Sequence, residues 1–187
     1  MLTQSLVTHC APTLARLKPG SMFSFGCTDG ARFAREMRAL NLQLRPKGVE
    51  MTVLRKRGDA LLVYLYRPDS LRAIFESEAV REFLRTCGYA DFSTQAAIRT
   101  LRARMRKEAE FPHEVGVFLG YPLADVVGFV RNGGRNCLLC GQWKVYARAQ
   151  EAAMTFERLR KCKQVYERLF RQGYPLTRLT VGTRATL

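Results

Sequence analysis

The chain has only two histidines, His9 and His113, and each stands beside a group that chemistry could use. His9 precedes Cys10, and Pro12 follows shortly after; proline suits the first turn of a helix because it has no amide hydrogen to lose there. A thiol just ahead of a helix N-terminus feels partial positive charge, which favours the thiolate, the form that attacks carbon and binds soft metals. The alternative for Cys10 is inert packing, since free cysteines are among the most buried residues. His113 and Glu114 follow Pro112. They could serve as proton carrier and orienting base, or Glu114 could simply favour a helix start.

Six cysteines, at 10, 27, 87, 137, 140 and 162, are too sparse for a disulfide scaffold. The N-terminus lacks the pattern of a secretory signal, so reduced thiols and a cytoplasmic setting are expected. Cys137-Leu138-Leu139-Cys140 has C-x-x-C spacing but no second ligand pair and no helix opening after it. Read as part of a strand from Asn136 to Tyr146, its two thiols would point to opposite sides. His9, Cys10, His113 and Cys140 would, if they met, supply the two nitrogens and two sulfurs that suit zinc or another thiophilic metal. Asn132-Gly133-Gly134 reads as a helix C-cap rather than a phosphate loop, and no Ser-His-Asp set or H-E-x-x-H is present.

At 187 residues, 47% hydrophobic and 25% charged, the chain has the composition of an ordinary globular domain, which excludes disordered and collagen-like classes. No apolar run approaches the ~20 residues of a membrane span, so no membrane partner is expected. The net charge of +15 raises the question of nucleic acid. Arg99, Arg102 and Arg106 lie in one basic stretch, and Arg160, Lys163 and Arg171 in another. If those helices shared a face they would form a phosphate-attracting stripe; a solvated cationic surface is the competing reading.

The elements that must position these groups follow from periodicity. A helix carries Leu2, Leu6 and Cys10, and a second begins at Pro12, which puts His9 and Cys10 at a junction. Ser21–Phe25 reads as a strand, and Phe33, Met37, Leu40 and Leu44 mark a helix capped by Thr28 or Asp29. Val49–Leu54 and Ala60–Tyr66 form a hairpin around a loop at 55–59. Helical material runs from 68 to 87, then a helix from Ser93 or Thr94 carries Ile98, Leu101, Met105 and Ala109. Short helices are expected at 113–119 and 122–131, and a long one at 148–171. The expectation is one helix-rich α+β domain over residues 1–175 with a small, mostly antiparallel sheet, and a flexible tail over 176–187.

Three strings in combination resemble one family: His9-Cys10-Ala11-Pro12-Thr13-Leu14 with Lys18-Pro19, Phe111-Pro112-His113-Glu114 through Gly120-Tyr121-Pro122, and Cys140-Gly141-Gln142-Trp143-Lys144-Val145-Tyr146. It is the domain of unknown function 3793 family of small bacterial proteins. The resemblance implies no activity, cofactor or partner. It directs attention to His9, Cys10, His113, Glu114, Cys140, Lys144 and Tyr146, with Cys10, His113, Glu114, Lys144 and Tyr146 as candidates for catalysis. Cys137 falls where relatives often carry another residue. The leading expectation is a metal, small-molecule or thiol-chemistry site; the alternative is a nucleic-acid binding module.

Overall fold

Leu61, Val63 and Leu65 alternate with Leu62, Tyr64 and Tyr66, so this segment is apolar on both faces and belongs at the centre of a sheet. The computed structural model, which describes residues 1–107 and 111–182, places it there. Strands β1 (Gly20–Gly26), β2 (Glu50–Arg57) and β3 (Ala60–Tyr66) form an antiparallel sheet in the order β1-β3-β2. Val63 sits opposite both Phe23 and Val53, and a bulge follows between Val53 and Arg55. The expected loop at 55–59 is shorter than its composition implied: Arg55, Lys56 and Arg57 stay paired, and the turn is made by Gly58, at φ +56°, and Asp59.

Helix α1 (Leu2–Leu14) runs unbroken past Pro12, where the sequence predicted a junction. Leu2, Leu6, Cys10 and Leu14 recur every four residues and are fully buried in the core, and that burial holds the helix together despite the missing amide. Helix α2 (Gly30–Leu44) starts at Asp29, whose carboxylate accepts the Arg32 amide, and its buried stripe is Phe33, Leu40 and Leu44. A 3-10 turn at Arg45–Lys47 leads into β2.

Helix α3 (Pro68–Phe75) and α4 (Glu78–Thr86) fill the 68–87 stretch as two helices. Then come α5 (Thr94–Lys107), α6 (Val115–Phe118), α7 (Leu123–Arg131), the two-residue strands β4 (Leu139–Cys140) and β5 (Lys144–Val145), and the long α8 (Ala149–Arg171). Ala109, expected on the α5 stripe, lies outside the described residues. The chain is α+β and helix-rich, and both sheets are antiparallel.

It divides into two compact units, residues 1–71 with 162–182, and Arg72–Lys161. In the first, Arg67 is fully buried and its guanidinium donates to the Thr13 and Leu14 carbonyls at 2.7 and 2.9 Å, to Lys47 O at 3.2 Å and to Val181 O at 2.7 Å. At the end of α1, where carbonyls lack the next helical turn, Arg67 joins the Arg16 amide on Thr13 O at 3.1 Å and the Val181 amide on Leu14 O at 3.0 Å. Residues 176–182, the described part of the expected tail, carry helix α9 (Leu176–Leu179), with Leu176 and Leu179 in the core, and residues 183–187 lie outside the described residues. In the second unit Phe118 meets Phe75 edge-on at 5.5 Å and Tyr89 at 5.8 Å.

Candidate functional site

Within the second unit, Gly120 turns the chain at φ +74° after the single-turn helix α6, and α7 begins three residues later. Asp125 lies in the first turn of α7, where the helix dipole favours a carboxylate. It is buried, and its oxygens are taken up by the β4–β5 hairpin and the chain after it. Oδ2 accepts the Trp143 indole N–H at 2.7 Å, and Oδ1 accepts the amides of Tyr146 at 2.7 Å and Ala147 at 3.0 Å. Asp125 therefore fixes the second motif block against the third. Gly128 allows the close approach: a Cβ there would lie 2.5 Å from Tyr146 Cβ.

Between these elements is a cavity of about 290 Å³. Its walls are largely aromatic, from Phe111, Tyr121, Phe129 and Trp143, with Gly116, Val115 and Val126 completing them and the committed carboxylate of Asp125 behind. Tyr121 stacks on Trp143 at 4.9 Å, and burial raises the Tyr121 phenol pKa. His113 and Lys144, both exposed, also line the cavity and converge on the ring of Phe129. The imidazole meets that ring edge-on at 5.0 Å, and Lys144 Nζ lies 5.9 Å over it while donating to Gly134 O at 2.7 Å. Gly134 is left-handed, at φ +72°, and a Cβ on it would press to 3.0 Å from the Phe129 ring.

The other candidates fall elsewhere. Glu114 is buried and is not among the residues lining this cavity; Oε1 accepts from Arg104 Nε at 2.5 Å and from Tyr89 OH at 3.2 Å. Glu114 stands at the N-cap of α6, where the sequence placed a helix start, while its carboxylate makes no cap hydrogen bond and is taken up by the ion pair with the half-buried Arg104. Tyr146 lies against Gly128, and its phenol pKa is raised by burial and by the nearby thiols of Cys137 and Cys140. The expected strand over 136–146 is replaced by a left-handed Asn136 and the short β4, so strand alternation does not separate those thiols. Cys140 is exposed, and all six cysteines are free.

Cys10 sits in the middle of α1 rather than ahead of a second helix, and burial pushes its thiol well above the ordinary range. The activated-thiolate expectation is corrected accordingly. His9 is exposed, stacks on Phe23 at 5.3 Å, and has its proton affinity lowered by burial and then by Lys163, against Glu167. His9 and Cys10 belong to the first unit, His113 and Cys140 to the second. Among the described residues no group of three or more His, Cys, Asp or Glu is placed to hold a metal. Among the basic candidates, Arg99 and Arg106 are exposed and Arg102 is half-buried on α5, while Lys163 is exposed on α8. Arg160 pairs with Glu157 at 2.7 Å and Arg171 with Glu167 at 3.9 Å.

Sequence reasoning missed Asp125 and Phe129. The available signal was an acidic residue alone in the otherwise uncharged stretch from Val115 to Val130, in a helix's first turn. Among the described residues no helix is long and apolar enough to cross a membrane. Neither the curated proteins nor the solved structures contain a match to the chain. A family model does match, over residues 6–180, and it takes in both motif blocks that build the cavity. The chain belongs to the family described as protein of unknown function (DUF3793).

Proposed function

We infer that the protein binds a small organic anion in the cavity between α6, α7 and the β4–β5 hairpin. The observation that carries this reading is that residues from two separate motif blocks line one aromatic cavity, with His113 and Lys144 on the same ring. Aromatic walls favour a flat apolar body, and a few convergent polar groups fix its orientation. Lys144 brings a positive charge with donors to spare, and His113 a ring nitrogen that can donate or accept, so a carboxylate or phosphate on the ligand is the complementary group. A cavity of about 290 Å³ suits a ligand built around one ring. Asp125 has both oxygens committed and acts as scaffold, holding Trp143 in place.

Trp143 is the chain's only tryptophan, so its fluorescence reports on the cavity directly. Titration with a panel of aromatic carboxylates and their uncharged alcohol counterparts tests the reading. The expected result is saturable quenching by carboxylates, with the alcohols about tenfold weaker and Lys144→Gln removing the difference. Equal response to acids and alcohols, or no saturable response at millimolar concentrations, overturns it.

A further inference from the structure

We propose that the turn end of the β1-β3-β2 sheet, with the exposed side of α2, binds the phosphodiester backbone of a nucleic acid. The surface lies within the first unit and is independent of the aromatic cavity. Arg55, Lys56 and Arg57 are carried on paired strand up to the turn, so their backbone is fixed there, with Lys56 leaving one face of the sheet and Arg55 and Arg57 the other. Cys27 N donates to Asp59 O at 2.7 Å, which pins the chain leaving β1 to that turn, and α2 starts at Gly30. Phe25 and Phe33 rest against each other at 5.4 Å and fasten the first turn of α2 over the same end. Arg32, Arg35 and Arg38 are all exposed at every third position of α2, about 4.5 Å apart along its axis.

The nearby acids leave the array net positive, with Asp29, Glu36 and Asp59 standing against Arg32, Arg35, Arg38, Arg55, Lys56 and Arg57. Asp29 Oδ1 accepts the Arg32 amide and Glu36 Oε1 accepts the Leu2 amide, so two of the three are engaged by backbone; Asp59 forms the turn. Among the described residues Arg32, Arg35, Arg38, Lys56 and Arg57 take part in no ion pair. On α8, by contrast, Glu157 is shared by Arg160 and Lys161, and Glu167 takes Arg171. Leu42 is the single large apolar side chain exposed on α2, and none is exposed over residues 25–39 and 55–59. A membrane surface or a protein partner calls for apolar anchors among the charges, whereas a phosphodiester chain is held chiefly by cations that displace its counterions. The guanidinium fork also matches phosphate oxygens.

The test is fluorescence anisotropy of the full chain with labelled single-stranded RNA, single-stranded DNA and duplex DNA of about 20 nucleotides, from about 50 to about 200 mM salt. Binding is expected at the low end and falls steeply with salt. The variant Arg32→Gln/Arg35→Gln/Lys56→Gln/Arg57→Gln is expected to weaken it by ~10-fold or more and to lower the log–log salt slope by about 2 to 4. The control Arg158→Gln/Lys161→Gln/Lys163→Gln on α8 is expected to change affinity less than about 2-fold. The three probes show which nucleic acid is preferred, and circular dichroism checks that both variants fold. No binding at about 50 mM salt, an equal loss in the α8 control, or equal binding of polyglutamate of matched charge overturns the proposal.

Discussion

The indole N–H of Trp143 donates to Asp125 Oδ2 at 2.7 Å, while the other oxygen of the same carboxylate receives the main-chain amides of Tyr146 and Ala147. One buried side chain thus sets both the ring that walls the cavity and the backbone that follows it. Asp125→Asn keeps the shape but cannot accept all three donors: with its carbonyl oxygen toward the amides, its NH2 faces the indole N–H. The expected cost is about 1–3 kcal/mol in urea denaturation, with altered Trp143 emission in the native state. Unchanged stability and emission would show that the carboxylate does not position the indole.

Gly128 makes a steric prediction. The atom its Cβ would meet first is Tyr146 Cβ, which is tied to backbone and cannot swing away. Gly128→Ala is expected to destabilise the fold by about 1–3 kcal/mol, despite the better helix propensity of alanine. Thermal denaturation measures it. Gly26→Ala, at a position with open space around it, is the matched control.

The cysteines should separate cleanly by reactivity. Cys140 is exposed, whereas Cys10 is fully buried with its thiol held protonated by that burial. Iodoacetamide followed by peptide mass spectrometry is expected to label Cys140 in the native protein and Cys10 only when denaturant is added, since the thiolate is the reactive form. Rapid native labelling of Cys10 would contradict its place in the core.

Lys18 gives stability an alkaline slope. Burial lowers its pKa to about 8, with Cys10 opposing. Its unfolded value is near 10.4, so between those two values the unfolded chain binds more protons and stability rises with pH. Below pH 8 the lysine is charged in both states and the cost of burying that charge is fully present. Over the same window Cys10 and Cys162, whose thiols burial raises, act in the opposite sense, so the lysine is read by difference: from pH 8 to 10 the wild type is expected to gain on the order of 2 kcal/mol relative to Lys18→Met in urea denaturation.

Much of the fold was legible because periodicity reports burial directly. The alternation in Ala60–Tyr66, the stripe on Gly30–Leu44 with its Asp29 cap, and the glycine stop after Arg131 all follow from short-range chemistry. The failures share a cause in packing between distant segments. Pro12 reads locally as a helix start, but Cys10 and Leu14 on the same buried stripe carry the helix through it. The 176–182 segment reads as a tail, yet Leu176 and Leu179 find the core and Arg67 reaches the Val181 carbonyl. The site was legible by half. His113 stood out as one of two histidines and Lys144 through the family resemblance, whereas Asp125 and Phe129 acquire their roles only once the hairpin folds against α7.

The Arg67 clamp also bears on how the chain is made. Its guanidinium donates to carbonyls of residues 13, 14, 47 and 181, so the first unit draws on segments far apart in sequence. Synthesis from the N-terminus delivers the sheet and Arg67 long before the last of those acceptors, and a buried guanidinium short of partners is expensive to hold. The N-terminal unit therefore cannot finish folding on the ribosome until residue 181 has left the exit tunnel. The Arg72–Lys161 unit, continuous in sequence, can close while its neighbour still waits.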